Sequence, residues 1–323
     1  MRLKRVRVVG DEGGPSVAAE RGGRWIALAP LTQEPWARDM LALLSGGATL
    51  RAEIEALVAD ATPAPLTDDV LLPFEPRSLR AFSIYPAHVE QSARVLVRRF
   101  FPKPAAVAMR LFERVTRRTF PPLKPSAHFY EQPAFYVGNH TAFLADGETL
   151  PWPSHSDRVD YELELGFVLA APVADATPQE GEAAIGGFFL VNDWSARDVQ
   201  AAEYRHGMFG PAVKAKSFNN SMGSVVVTAD ELLGRAGALR GVVRVNGEVW
   251  AETSTAGAAH SLGALVACAS AGERLAPGDV FATGTLPRGS GLELDRWVQP
   301  GDVVELELEG GLGTLTNTIG PRG

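Results

Sequence analysis

The stretch DYELELGFVLA, residues 160–170, alternates like a strand and yet carries a row of acids toward a core. Successive side chains on a strand point to opposite faces. One face holds Tyr161, Leu163 and Leu165 and the other Asp160, Glu162 and Glu164, before Phe167, Val168 and Leu169 make both faces apolar. That continuation implies burial. Two carboxylates about 5 Å apart repel by roughly 3 kcal/mol at an effective dielectric near 20. Such a pair survives burial with a proton on one member or a cation between them. Carboxylates at i and i+2 project side by side and suit one hard divalent ion. VVELELEGG, residues 303–311, is an internal control: Glu305, Glu307 and Glu309 alternate there too, but the run ends in Gly310 and Gly311, so a solvent-facing strand is expected.

A third oxygen is available in IGGFFLVNDWSARDVQAAEYRHG, residues 185–207. GGFFLV reads as a buried strand and SARDVQAAEYRH as a helix, with Ser195 and Asp198 spaced as a capping pair. Asp193 falls at the strand end, as a turn residue or a ligand. Arg197 and Gln200 share a helix face and can aim an anion clamp and an amide at that strand end.

The rest of the chain sets limits. A formal charge of −7 gives no basic footprint for nucleic acid. The single cysteine, Cys268, excludes an internal disulfide and a cysteine-based zinc site. MRLKRVRVVGDEGG is basic but no apolar run of signal length follows it, and no stretch approaches the roughly 20 apolar residues of a membrane span. A soluble cytoplasmic protein without nucleic-acid or membrane partners is expected. No G-x-G-x-x-G follows a strand and no G-x-S-x-G is present, which disfavours a dinucleotide fold and a serine hydrolase.

Residues 1–74 show short β-like pieces, RVRVVG and RWIALAP, then helical segments from EPWARDMLALLSGG and LRAEIEALVADA, the first stopped by Gly46 and Gly47. TPAPLTDDVLLPFEPRS, residues 62–78, reads as a Pro-rich linker. Residues 88–120 read as two amphipathic helices broken at FFPKP, and another helix is expected near 258–271. The basic residues Arg94, Arg98, Arg99, Lys103, Arg110, Arg114, Arg117, Arg118 and Lys124 form either a solvated face or a rim that attracts an anion.

The blocks DYELELGFVLA, VNDWSARDVQ, GPAVKAKSF, LAPGDVFATGTLPRGSGLEL and QPGDVVELELEGGLGTLTNTI, in this order, resemble the fumarylacetoacetate hydrolase superfamily over roughly residues 78–323. The resemblance implies an α+β fold. Residues 75–323 would form a mixed β-roll catalytic domain with flanking helices and a helical insertion near 88–124, beside a small, mainly β N-terminal domain at 1–74. It implies a homodimer and a site built around one divalent cation, magnesium first, calcium or manganese otherwise. Glu162, Glu164 and Asp193 match the metal ligands, and Lys216 the site lysine that stabilises negative charge, with Lys214 as rival. Arg197, Gln200, Tyr204 and Tyr136 match substrate contacts, and Gly284 and Thr285 the turn that binds a substrate carboxylate. His88 matches the general base and Glu293 the carboxylate that orients it. One departure stands out: LRAF places Ala81 where two-domain members often carry a fourth metal-binding aspartate.

The expected activity is hydrolysis of a C–C bond in a small anionic 1,3-diketo acid of acylpyruvate or fumarylacetoacetate type. The same electron sink would serve a 2-keto acid decarboxylase, a dehydratase of sugar-derived acids or a tautomerase. A non-catalytic protein that binds a keto acid or a partner is the reading from a different class.

Overall fold

The computed structural model describes residues 1–207, 210 and 212–322. Its centre is the strand Leu163–Leu169, buried along its whole length. It pairs antiparallel with Ile185–Asn192 on one side and Asp279–Ala282 on the other. This trio lies in an eleven-stranded mixed sheet. Beyond Asp279–Ala282, the sheet continues through the parallel strand Ser78–Phe82 to the edge strand Phe135–Val137. A second sheet of five strands contains Arg240–Val245 and Val303–Leu308. The fold class is α+β, with open sheets and no closed barrel among the described residues.

The alternation of the opening stretch sorts the core. Tyr161, Leu163, Leu165, Phe167 and Leu169 pack with Val243, Val304, Leu306 and Leu315 between the two sheets. Val168, on the face that carries the glutamates, packs with Phe189, Val191 and Val280 in a second core. The acids therefore emerge from a sheet face that is apolar one turn of the pleat away. The control strand behaves as its pattern requires: Glu305 and Glu307 alternate with buried Val304, Leu306 and Leu308, and Glu307 pairs with Arg244 at 2.8 Å.

Residues 1–74 hold a small apolar cluster of their own, Val6, Ala18 and Ala27 against Val8, Trp25 and Leu66, and also join the large sheet. Arg2–Val6 pairs with Val225–Thr228 and so extends the large sheet. Leu3, Val17, Leu43 and Ile54 pack in the same core as Val168 and Phe189. The segment also holds the helices Met40–Ser45 and Gly47–Val58. The physical reason is that three short strands have one face to bury, and the glutamate-bearing face of the central sheet needs covering.

The helical insertion is present as Pro86–Phe100 and Lys103–Thr116, interrupted at Phe101 and Pro102. Ser195 and Asp198 do not cap the following helix, which runs from Arg197 to His206 with no side-chain cap. Ser195 and Ala196 are instead drawn into pairing with Asp160 and Val159. The Asp198 carboxylate accepts from Ser156 Oγ at 2.6 Å and from the Asp157 amide at 2.9 Å. Among the described residues no helix is long and apolar enough to cross a membrane.

Candidate metal centre and active site

The strand register builds the acid triad. Val191 lies opposite Glu164, and the Asp193 amide donates to the Glu162 carbonyl at 3.1 Å, so the three acids share one face at the end of the strand pair. Each offers a carboxylate oxygen, and these oxygens lie within 4.8 Å of one another. All three residues are buried. Glu164 is held by the Gly284 amide at 3.0 Å and the Thr285 hydroxyl at 3.4 Å. Gly284 sits at φ +93°, and a Cβ there would lie 2.5 Å from the Phe82 carbonyl oxygen, so the turn that aims its N–H at Glu164 requires glycine.

Two buried cations face the triad. Lys216 Nζ donates to Glu162 and, at 2.8 Å, to Asp193 Oδ2. Lys214 is exposed, and its backbone amide bonds Glu203, so the structure brings only Lys216 to the acids. Arg197 donates to Asp160 Oδ2 at 2.7 Å, Glu162 Oε1 at 2.6 Å and Gln200 Oε1 at 2.8 Å. Tyr136 Oη donates to Asp193 Oδ2 at 2.7 Å. Ala81 is the cross-strand partner of Tyr136 and supplies no ligand.

Electrostatics single out Glu164. Burial pushes its carboxyl well above the usual range, and the neighbouring Asp193 and Glu162 charges push the same way. Burial also raises Glu162, but Lys216 and Arg197 together outweigh it and hold that carboxyl below its ordinary value. Burial raises Asp193 against the opposing pull of Lys216. With Asp160, Glu162, Glu164 and Asp193 all ionised, Arg197 and Lys216 leave an excess of two negative charges. A divalent cation cancels that excess. Asp193 Oδ1 is moreover buried without a hydrogen-bond partner, an atom with a lone pair to give. Three carboxylates are an oxygen donor set for a hard divalent ion. The residues present fit a metal.

Asp160 is the residue that sequence reasoning passed over. Its carboxylate accepts from the Gly291 and Leu292 amides, both at 2.9 Å, while it binds Arg197. It thus caps the short helix Gly291–Leu294 and fixes Arg197 in one contact. The signal was in the opening stretch, on the same face as the ligands. Asp160→Ala should cost about 3–5 kcal/mol, because it leaves the Arg197 charge and two amides without their acceptor. Asp160→Asn should cost less, since its amide oxygen still accepts. Urea titration of both variants checks this, and an alanine variant within 1 kcal/mol of the parent would contradict it.

Glu293 lies on that same short helix. Its carboxylate accepts from the Arg288 amide at 2.9 Å and Ser290 Oγ at 3.2 Å, and stands 2.9 Å from His88 Nδ1. His88 lies in the first turn of Pro86–Phe100, where Pro86 starts the helix. The loop before Glu293 is pinned to the central strand: the Leu163 amide donates to the Gly289 carbonyl at 2.9 Å. This places dyad and triad in register. His88 and the triad open onto one cavity of 680 Å³, lined among others by Glu162, Glu164, Asp193, Arg197 and Lys216, while Glu293 stands behind the histidine. Tyr136, Gln200, Thr285 and the exposed Tyr204 line it too. Gly284 reaches the site through its amide.

A buried oxygen triad that could hold a metal ion and a histidine beside a carboxylate thus meet at one cavity of an α+β fold, the arrangement of a candidate metal-dependent enzyme centre. Residues 112–320 match the family model described as fumarylacetoacetate (FAA) hydrolase C-terminal, and the chain belongs to that family. It is 32% identical over 181 residues to oxaloacetate tautomerase YcgM of Escherichia coli, covering 56% of this chain and 79% of that one. It is 34% identical over 190 residues to an uncharacterised protein of Archaeoglobus fulgidus, covering 58% and 69%. Two solved structures share the fold over 100% of both chains. One is a fumarylacetoacetate hydrolase from psychrophilic Exiguobacterium antarcticum, with TM-score 0.69 and 21% identity. The other is a maleylpyruvate hydrolase from Sphingobium sp. SYK-6 in complex with manganese(II) and pyruvate, with TM-score 0.69 and 19% identity.

Proposed function

We propose that this chain is a divalent-metal-dependent hydrolase that cleaves a C–C bond in a 1,3-diketo acid of acylpyruvate type. The observation that carries the reading is His88, 2.9 Å from Glu293 and opening onto the cavity that holds the acid triad. Glu162, Glu164 and Asp193 would hold the cation, magnesium in the first instance, with calcium and manganese suited by the same donors. When bound, it supplies Lewis-acid polarisation of the keto acid oxygens.

The chain's own groups do the rest. The Glu293 carboxylate accepts from Nδ1–H of His88, which leaves Nε2 with its lone pair for a water proton. The resulting hydroxide adds to the carbonyl carbon distal to the carboxylate. The bond between that carbon and the methylene breaks, and its electron pair stays with the keto acid fragment as an enolate. Lys216 provides fixed positive charge at the cavity floor where that negative charge develops. Water protonates the enolate at the methylene carbon and His88 releases its proton to solvent, giving pyruvate and a carboxylic acid. A homodimer in the cytoplasm is part of the same proposal.

The second reading is tautomerisation of a 2-keto acid, favoured by the likeness to the oxaloacetate tautomerase. It needs the triad and Lys216 but no attack by water. The protein, assayed with magnesium and after EDTA treatment, should form pyruvate and acid in equal amounts from acylpyruvates, and only with metal. Conversion of enol to keto oxaloacetate with no pyruvate from any acylpyruvate would decide for the tautomerase.

A further inference from the structure

We infer that the substrate carries an apolar tail, alkyl or aryl, on the side of its reacting carbonyl remote from the keto acid end. The inference rests on the hydrolase reading for the position of that carbonyl and on the cavity for everything else. The helix Pro86–Phe100 turns one face to the cavity. Along it Val89, Leu96, Val97 and, just past its end, Phe101 line the space at helical spacing, a single apolar stripe. Phe120 and Phe135 join it in the lining.

The charges of the cavity are spent elsewhere. Arg197 is committed to Asp160, Glu162 and Gln200, and Lys216 to Glu162 and Asp193. Three arginines of the helical insertion are paired outside the cavity lining. Arg94 pairs with Glu90 and Glu113, and Arg98 and Arg99 pair with Asp295. Beyond Arg197 and Lys216, Lys124 is the one lysine or arginine lining the cavity among the described residues, and it is exposed. A carboxylate at the far end of a substrate would leave water for hydrocarbon walls without a buried partner, which is costly. An alkyl or aryl group gains instead. The chamber therefore selects a 2,4-diketo acid with a hydrocarbon acyl group over one with a second acid.

The test is calorimetric titration of the magnesium-loaded protein with straight-chain 2-oxo acids from 2-oxobutanoate to 2-oxodecanoate, and with 2-oxosuberate against 2-oxooctanoate. Each methylene should tighten binding about threefold to fourfold until the chamber is full, and the diacid should bind at least about tenfold more weakly than the monoacid of equal length. A flat series, or a preference for the diacid, overturns the inference. Phe135 is 37% exposed on an edge strand and its ring lies 4.9 Å from that of Phe82, a place where a new side chain is tolerated. Phe135→Arg should reverse the order of 2-oxooctanoate and 2-oxosuberate, and Phe135→Leu should preserve it. An unchanged order in the folded arginine variant also overturns it. Failure to cleave any acylpyruvate sinks the hydrolase reading, while the binding series separately decides the nature of the tail pocket.

Discussion

Glu164→Gln is expected to lower kcat/KM by at least about 10³-fold, to abolish the rise in melting temperature on adding magnesium, and to raise the melting temperature of the metal-free protein. The three effects have one cause. Glu164 is the triad member without a cation against it: its partners are the Gly284 amide and the Thr285 hydroxyl. Glu162 and Asp193 both touch Lys216. Burial and the two neighbouring carboxylates already push the Glu164 carboxyl well above its normal range. The metal-free fold therefore bears the cost of this charge or of its proton, and glutamine removes both. The amide oxygen of the glutamine still accepts from Gly284, and the side-chain volume is unchanged. The same substitution takes one anionic ligand from the ion. Lewis-acid stabilisation worth several kcal/mol goes with it, which is the thousandfold loss. In the parent, metal at about 100 times its dissociation constant should add about 2.7 kcal/mol, or roughly 5 °C for a chain of this size. Steady-state kinetics give the first reading, and thermal melts of parent and variant with EDTA and with magnesium give the other two. A metal-free variant that melts below the metal-free parent would show that Glu164 is a structural carboxylate and not a ligand.

The part of this centre that is local in sequence could be read without coordinates. Alternation over residues 160–170 finds the strand Leu163–Leu169 and sets Glu162, just before it, beside Glu164, though Val159–Asp160 belongs to a separate two-stranded sheet, and the strand end displays Asp193. What escaped reading depends on distant partners. Asp160 looked like a third acid in a row, because its partners at Gly291 and Leu292 lie 131 and 132 positions away. Lys214 and Lys216 are equivalent two residues apart, and only burial separates them. The basic insertion read as a solvated face or an anion-attracting rim, and its sequence could not show that Glu90, Glu113 and Asp295 pair with Arg94, Arg98 and Arg99. Ser195 had the spacing of a helix cap, but pairing with the Asp160 backbone won, since a strand contact satisfies donor and acceptor together. The N-terminal segment read as a separate unit because its strands are short and its linker rich in proline. The partner of its first strand in the large sheet, Val225–Thr228, lies more than two hundred residues on.

His88→Ala and Glu293→Gln should each reduce hydrolysis of an acylpyruvate by about 10²–10⁴-fold, and each should leave the magnesium-induced thermal shift in place. The histidine variant removes the base. The glutamine variant acts through the tautomer. Glu293 Oε2 stands 2.9 Å from His88 Nδ1, and a carboxylate there favours the tautomer with its proton on Nδ1 and Nε2 basic. A glutamine there can donate its amide hydrogen to Nδ1 instead and strand the proton on Nε2, where it blocks the water. Reversal of tautomer in a catalytic triad costs about 10⁴-fold, so this change need not be milder than loss of the ring. Its fold is protected, because the amide oxygen of glutamine can still accept from the Arg288 amide as Oε1 does, and the nitrogen in the place of Oε2 can donate to Ser290 Oγ. Among the described residues no hydrogen bond or ion pair joins either residue to Glu162, Glu164, Asp193 or Lys216, so the groups that stabilise an enolate keep their partners in both variants. Exchange of methyl protons of pyruvate for deuterium, followed by NMR, reads that function alone. Exchange should persist in both variants while cleavage falls. If cleavage and exchange fall together, the dyad serves enolisation and the tautomerase reading gains. If cleavage survives in His88→Ala, another group activates the water and the hydrolytic role given to the pair is wrong.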